Sequence, residues 1–119
     1  MVPPGLAWFR NHAGMAPRQS EAIFDKLTMS ALEATPLSIA LRDCGITTMA
    51  LVGVAMEIGI EPTARHAADL GILPVIVEDA CVSGHAAAAR RSIEALKFSG
   101  DALFADTEAF CRALKRKQR

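Results

Sequence analysis

Two continuous apolar runs, residues 49–55 and 73–78, enclose a stretch with helical periodicity, and nothing else in the chain limits its fold as tightly. A strand buried on one face alternates apolar and polar side chains, whereas one covered on both faces reads as an unbroken apolar run. Run, helix and run therefore spell a βαβ unit, with parallel strands lying between two layers of helix. Residues 22–27, following the polar Arg18-Gln19-Ser20, read as a further strand. Residues 6–10 and 102–105 are shorter candidates. The expected class is α/β, a three-layer αβα arrangement around a mostly parallel sheet.

The helices between these strands have recognisable ends. Thr35-Pro36 supplies a cap and a first-turn proline, Leu37, Ala40, Leu41 and Cys44 form an i, i+3, i+4, i+7 stripe, and Gly45 is placed to stop the helix. The next helix spans residues 58–70 and stops at Gly71; Pro62 falls within about its first turn, where a missing N–H does least harm. Ser83 or Gly84 opens a third helix, with Ala86, Ala89, Ile93 and Leu96 facing the sheet and Gly100 closing it. A fourth follows Asp106 or Thr107 and packs Phe110 and Leu114. No repeat, low-complexity segment or linker divides the chain, so residues 1–119 read as one domain.

Charge and cysteine content exclude several classes. Lys plus Arg and Asp plus Glu are 13 each, so no long-range field recruits nucleic acid or an anionic membrane surface. The one basic run, residues 115–119, complements the negative end of the helix before it. Every apolar stretch is interrupted well short of the roughly 20 residues that a membrane span needs, and the N-terminus lacks the pattern of an export signal. The three cysteines, Cys44, Cys81 and Cys111, form no C-x-x-C pair and have no histidine at ligand spacing. That excludes a disulfide framework and a zinc site, leaving each thiol the role of a small buried hydrophobe in a cytoplasmic protein. No metal or cofactor is expected.

Open parallel sheets gather reactive groups at the carboxyl ends of their strands. Lys26, the turn from Ala55 to Gly59, and Glu78-Asp79 all fall there. Gly53 and Gly59 permit close backbone approach, and the first N–H groups of the following helix are expected to point outward, partly positive, toward an oxyanion or carboxylate.

The order of motifs resembles the isochorismatase-like hydrolases. Phe24-Asp25-Lys26 followed by Ser30-Ala31-Leu32-Glu33-Ala34-Thr35-Pro36-Leu37 is similar to the family's lysine, its Ser-Ala-Phe and its Thr-x-Leu, with Leu32 in place of phenylalanine. Leu41-Arg42-Asp43-Cys44-Gly45-Ile46 is similar to the Leu-Arg-x-x-Gly-Ile leading into a strand. Val52-Gly53-Val54-Ala55 matches a turn that carries a cis peptide in the family, implied here at Val54-Ala55. Thr63-Ala64-Arg65-His66-Ala67-Ala68-Asp69-Leu70-Gly71 and Val75-Ile76-Val77-Glu78-Asp79-Ala80 continue the match.

The resemblance implies a site made of Lys26, Glu57 and Gly59, with Val54, Ala55 and Gly59 lining the substrate, and a small carbonyl, amide or enol-ether molecule as the partner. The family's cysteine hydrolases attack with a thiolate, and Gly59 occupies that position. Ile58-Gly59 resembles instead the isochorismatases proper, which form no covalent intermediate. Glu57 stands where those have histidine, so it serves either as a general acid or base or as a helix cap. His66 has a solvated or supporting role, His85 packs or caps, and Asp79 supports its loop. The family's aspartate, at the end of a central strand, has no counterpart before Leu6. This leaves a chain lacking that strand, with either an active site of reduced composition or an inactive or truncated relative that binds a carboxylate or only assembles. Homo-oligomerisation is expected.

Overall fold

The run at residues 73–78 becomes the middle strand of a parallel sheet in a computed structural model, which describes residues 17–118. Helix α1 (Leu37–Asp43) precedes β1 (Thr48–Val54), a π-helical turn (Met56–Ile60) and α2 (Glu61–Asp69); β2 (Leu73–Val82), α3 (Ala86–Ser99), β3 (Leu103–Ala105) and α4 (Thr107–Lys117) follow. The strand order is β1-β2-β3, and both pairings are parallel. The expected α/β class with a parallel sheet is what the chain forms.

Local chemistry accounts for the ends of these elements. Gly45, Gly71 and Gly100 have φ of 67°, 78° and 73° and close α1, α2 and α3 in the left-handed region that glycine enters without a Cβ clash. Asp106 caps α4 by accepting the Ala109 N–H at 2.7 Å, and His85 caps α3 by accepting the Ala88 N–H at its Nδ1. Lys115, Arg116 and Lys117 belong to the last turn of α4, where the helix end is negative.

The main core joins Leu51 of β1 and Ile76 of β2 with Met56, Ile60, Ala64, Ala89, Leu96 and Ala102. A second cluster sets Leu32, Ala67 and Ile72 against Leu37 and Leu41 of α1. Between Leu51, paired with Ile76, and Gly53, paired with Cys81, the register shifts so that β2 bulges at residues 77–80. β2 thus runs four residues beyond the expected end at Glu78, to Val82.

Several expectations need correction. Residues 22–26 have no regular structure and residue 27 is in a bend, with Leu27 99% exposed, because an apolar run becomes a strand only where a neighbour completes its ladder. β1 is likewise not buried on both faces: Thr48, Ala50, Val52 and Val54 are exposed, and its outer edge is unpaired among the described residues. Cys44 and Cys111 are exposed rather than buried, and Cys81 is partly buried and packs against the main core. On α3, Ala86 is exposed and Ser92 is buried instead, since Ser92 donates a hydrogen bond to Glu61 of α2. Leu114 is half exposed. The candidate strand at 6–10 lies outside the described residues.

Candidate functional site

The turn after β1 is built from backbone. Gly53 has a φ of 131°, the Val54–Ala55 peptide bond is cis as the resemblance implied, and Ala55 is extended. The Ala55 carbonyl then accepts the N–H groups of Ile58, Gly59 and Ile60 at 3.0–3.2 Å. One carbonyl shared by the third, fourth and fifth amides after it marks a helix start widened into a π turn. It engages the Gly59 N–H inward, contrary to the expectation that this amide faces a ligand.

What Gly59 leaves open is space. A Cβ there would lie 3.9 Å from Lys26 Nζ, 3.9 Å from the Val54 carbonyl oxygen and 3.5 Å from that of Met29. These are ordinary contacts, so glycine is not forced by crowding. The Lys26 ammonium is fixed by donating to the carbonyls of Thr28 at 2.7 Å and Met29 at 3.1 Å. Lys26, Val54 and Gly59, separate in sequence, therefore meet around one floor.

The loop carrying Lys26 is fastened to α2 by Thr63 and Ser30, to which the sequence reading gave no role, and by His66, to which it gave a solvated or supporting one. Thr63, 3% exposed, donates to the Gly59 carbonyl at 2.7 Å and accepts the Ala31 N–H at 2.9 Å. Its hydroxyl bridges the lysine loop and the glycine turn. Ser30 and His66 share a hydrogen bond of 2.9 Å between Oγ and Nδ1, and the Leu32 N–H donates to the same Oγ at 3.1 Å. His66 thus supports the loop. Thr63 could have been suspected, because a threonine four residues after Gly59 on a helix can return its hydroxyl to that carbonyl. Ser30 carried no such signal.

The Glu57 carboxylate reaches the start of α3. Its Oε1 accepts the His85 N–H at 2.5 Å. Amide hydrogen bonds, its own foremost, hold the carboxyl below its ordinary value of 4.5 against the opposing effect of burial, aided by the amides of His85 and Gly84 and by the His85 ring. At neutral pH it is an anion.

Cys81 offers no substitute nucleophile. Burial first, then the charges of Glu78 and Asp79, raise its thiol pKa above 9.0, so the attacking thiolate is scarce. Asp79 accepts both the N–H and the hydroxyl of Thr107 at 2.8 Å, tying the bulge of β2 to the start of α4. Among the described residues no group of three or more His, Cys, Asp or Glu side chains is placed to share a metal ion, and no helix is long and apolar enough to cross a membrane.

Comparison with known proteins adds to this geometry. The sequence model of the isochorismatase domain matches residues 3–109. An uncharacterized isochorismatase family protein of Escherichia coli O157:H7 is 37% identical over 86 residues, covering 72% of this chain and 46% of its own length. The structure of an isochorismatase family protein from Desulfovibrio vulgaris superposes with a TM-score of 0.78 at 27% identity, over 87% of this chain and 54% of that one. A nicotinamidase from Bacillus subtilis superposes with a TM-score of 0.65 at 30% identity, over 68% and 45%. The chain spans about half the length of the proteins it matches. Its motifs, its parallel sheet and these likenesses agree: the chain belongs to the isochorismatase family.

Proposed function

We propose that the chain supplies the site of an isochorismatase-family hydrolase that acts on a small carbonyl, amide or enol-ether molecule without a covalent enzyme intermediate. The observation that carries this reading is the Lys26 ammonium standing 3.9 Å from the point where a Gly59 side chain would begin. A substrate oxygen resting there meets a fixed cation as negative charge develops on it, which is where electrostatic stabilisation is worth most. Gly59 provides room for the substrate in place of an attacking atom, the Val54 carbonyl borders the same floor, and Ala55, next along the chain, is read as lining it. A neighbour named as a nicotinamidase makes an amide the first substrate class to try. The expected partners are that small molecule and further copies of the chain, in the cytoplasm and without a cofactor.

Turnover measured across amide, ureido and isochorismate-type substrates tests the reading. Lys26→Ala is expected to lower kcat by about 100-fold, the scale of one lost charge-stabilising donor. Absence of turnover on all three classes overturns it.

A second reading, a catalytically silent relative that binds a small carboxylate at Lys26, draws on the inward hydrogen bond of the Gly59 N–H. It predicts carboxylate binding by calorimetry, abolished in Lys26→Ala, with no turnover.

A further inference from the structure

Helix α3 opens with half of a capping box. In the complete motif the N-cap side chain accepts the N–H of the third helical residue, and a carboxylate at that third position reaches back to the N–H of the cap. His85 performs the first half through Nδ1, accepting the Ala88 N–H at 3.3 Å. Ala88 has no carboxylate to return, and the first turn of α3 holds no acidic residue. The missing half comes from another element: Glu57, on the turn that carries Ala55 and Gly59, accepts the His85 N–H. Gly84 makes this approach possible, since a Cβ there would lie 2.6 Å from Glu57 Oε1 and 3.7 Å from the Ala55 Cβ. The other carboxylate oxygen is buried without a partner among the described residues.

We infer that Glu57 is a positioning residue whose carboxylate completes the cap of α3 from outside the helix and thereby fixes the turn bearing Ala55 and Gly59 against that helix. Its bond to the His85 amide, together with the anion's favourable place at a helix N-terminus, serves this role rather than proton transfer. The consequence for catalysis rests on the functional reading above, whereas the clasp itself does not.

Thermal melting and amide hydrogen exchange of the full chain separate the two. Glu57→Ala is expected to lower Tm by about 4–8 °C, the shift for a loss the size of one helix cap in a domain this small, and to speed exchange at His85. Gly84→Ala should lower Tm in the native background and much less in Glu57→Ala, since the clash needs the carboxylate. Additive effects overturn the clasp, as does unchanged exchange at His85 in Glu57→Ala. Ala88→Glu, which restores a carboxylate within the helix, is expected to recover Tm in Glu57→Ala while leaving any turnover or ligand affinity low. Recovery of function together with Tm overturns the positioning role. If the native chain neither turns over nor binds, the functional reading fails while the Tm and exchange results still decide the clasp.

Discussion

Strands β1 and β2 are alike in sequence and opposite in environment. Each contains a continuous apolar run, residues 49–54 of β1 and 73–77 of β2, yet Ile76 and Val77 of β2 are 0% and 1% exposed while Val52 and Val54 of β1 are 54% and 75% exposed. Among the described residues β2 has a hydrogen-bonded neighbour on each side and β1 has one. An apolar run therefore states what a strand requires, two paired edges and two covered faces, and not what the described residues provide. The sharpest way to break the comparison is Ile76→Ala. Emptying a fully enclosed site is expected to cost about 2–5 kcal/mol, a large part of the roughly 5–15 kcal/mol that stabilises a domain. Chemical denaturation measures it, and a cost below about 1 kcal/mol would show that β2 is not the centre of the core.

Thr63 tests the same contrast where polar bonds, not apolar contacts, hold the structure. Its hydroxyl is buried between the Gly59 carbonyl and the Ala31 amide. Thr63→Val keeps the shape and strands both groups, at an expected cost of about 1–3 kcal/mol. Thr63→Ser restores the hydroxyl and is expected to recover most of the loss. If valine and serine variants melt alike, the bridge between the lysine loop and the glycine turn contributes nothing.

Much of this was legible in the sequence, for physical reasons that can be named. β1, β2 and α1 to α4 announced themselves through continuous runs, caps and closing glycines, because those signals are local. Lys26 and Gly59 were marked by their places at strand ends and given roles by the order of motifs, whereas the 3.9 Å from Lys26 Nζ to where a Gly59 Cβ would sit is a tertiary fact. Residues 22–27 were misread because strand formation depends on a neighbour that local pattern cannot supply. Glu57 was left between acid and cap since both roles suit a carboxylate near a helix start. The His85 amide that it holds lies 28 residues away, beyond any local spacing rule.

The ionisation of Glu57 gives a smaller effect with a definite sign. Its folded-state pKa lies below the ordinary 4.5, so its charged form stabilises the fold above pH 4.5, and this contribution is lost as pH falls through the depressed value. Unfolding free energy followed from pH 6 downward should decline more steeply in the native chain than in Glu57→Gln, with the curves converging at the acid end. Parallel curves would show that the carboxylate gains nothing from the amides it faces.

The smallest expected effect on stability returns to the edge of β1. Thr48–Val54 contains no charged residue and no proline, the two devices that usually keep an exposed edge from pairing with another chain. Val52→Lys places a charge on an already exposed position and is expected to change unfolding free energy by no more than about 0.5 kcal/mol. Its effect belongs to association instead: pairing through β1 requires two edges to approach, and like charges facing each other across the new ladder oppose it. Sedimentation of the two chains at equal concentration should show the lysine variant shifted toward the smaller species. An unchanged distribution would mean that the edge of β1, unpaired among the described residues, takes no part in assembly.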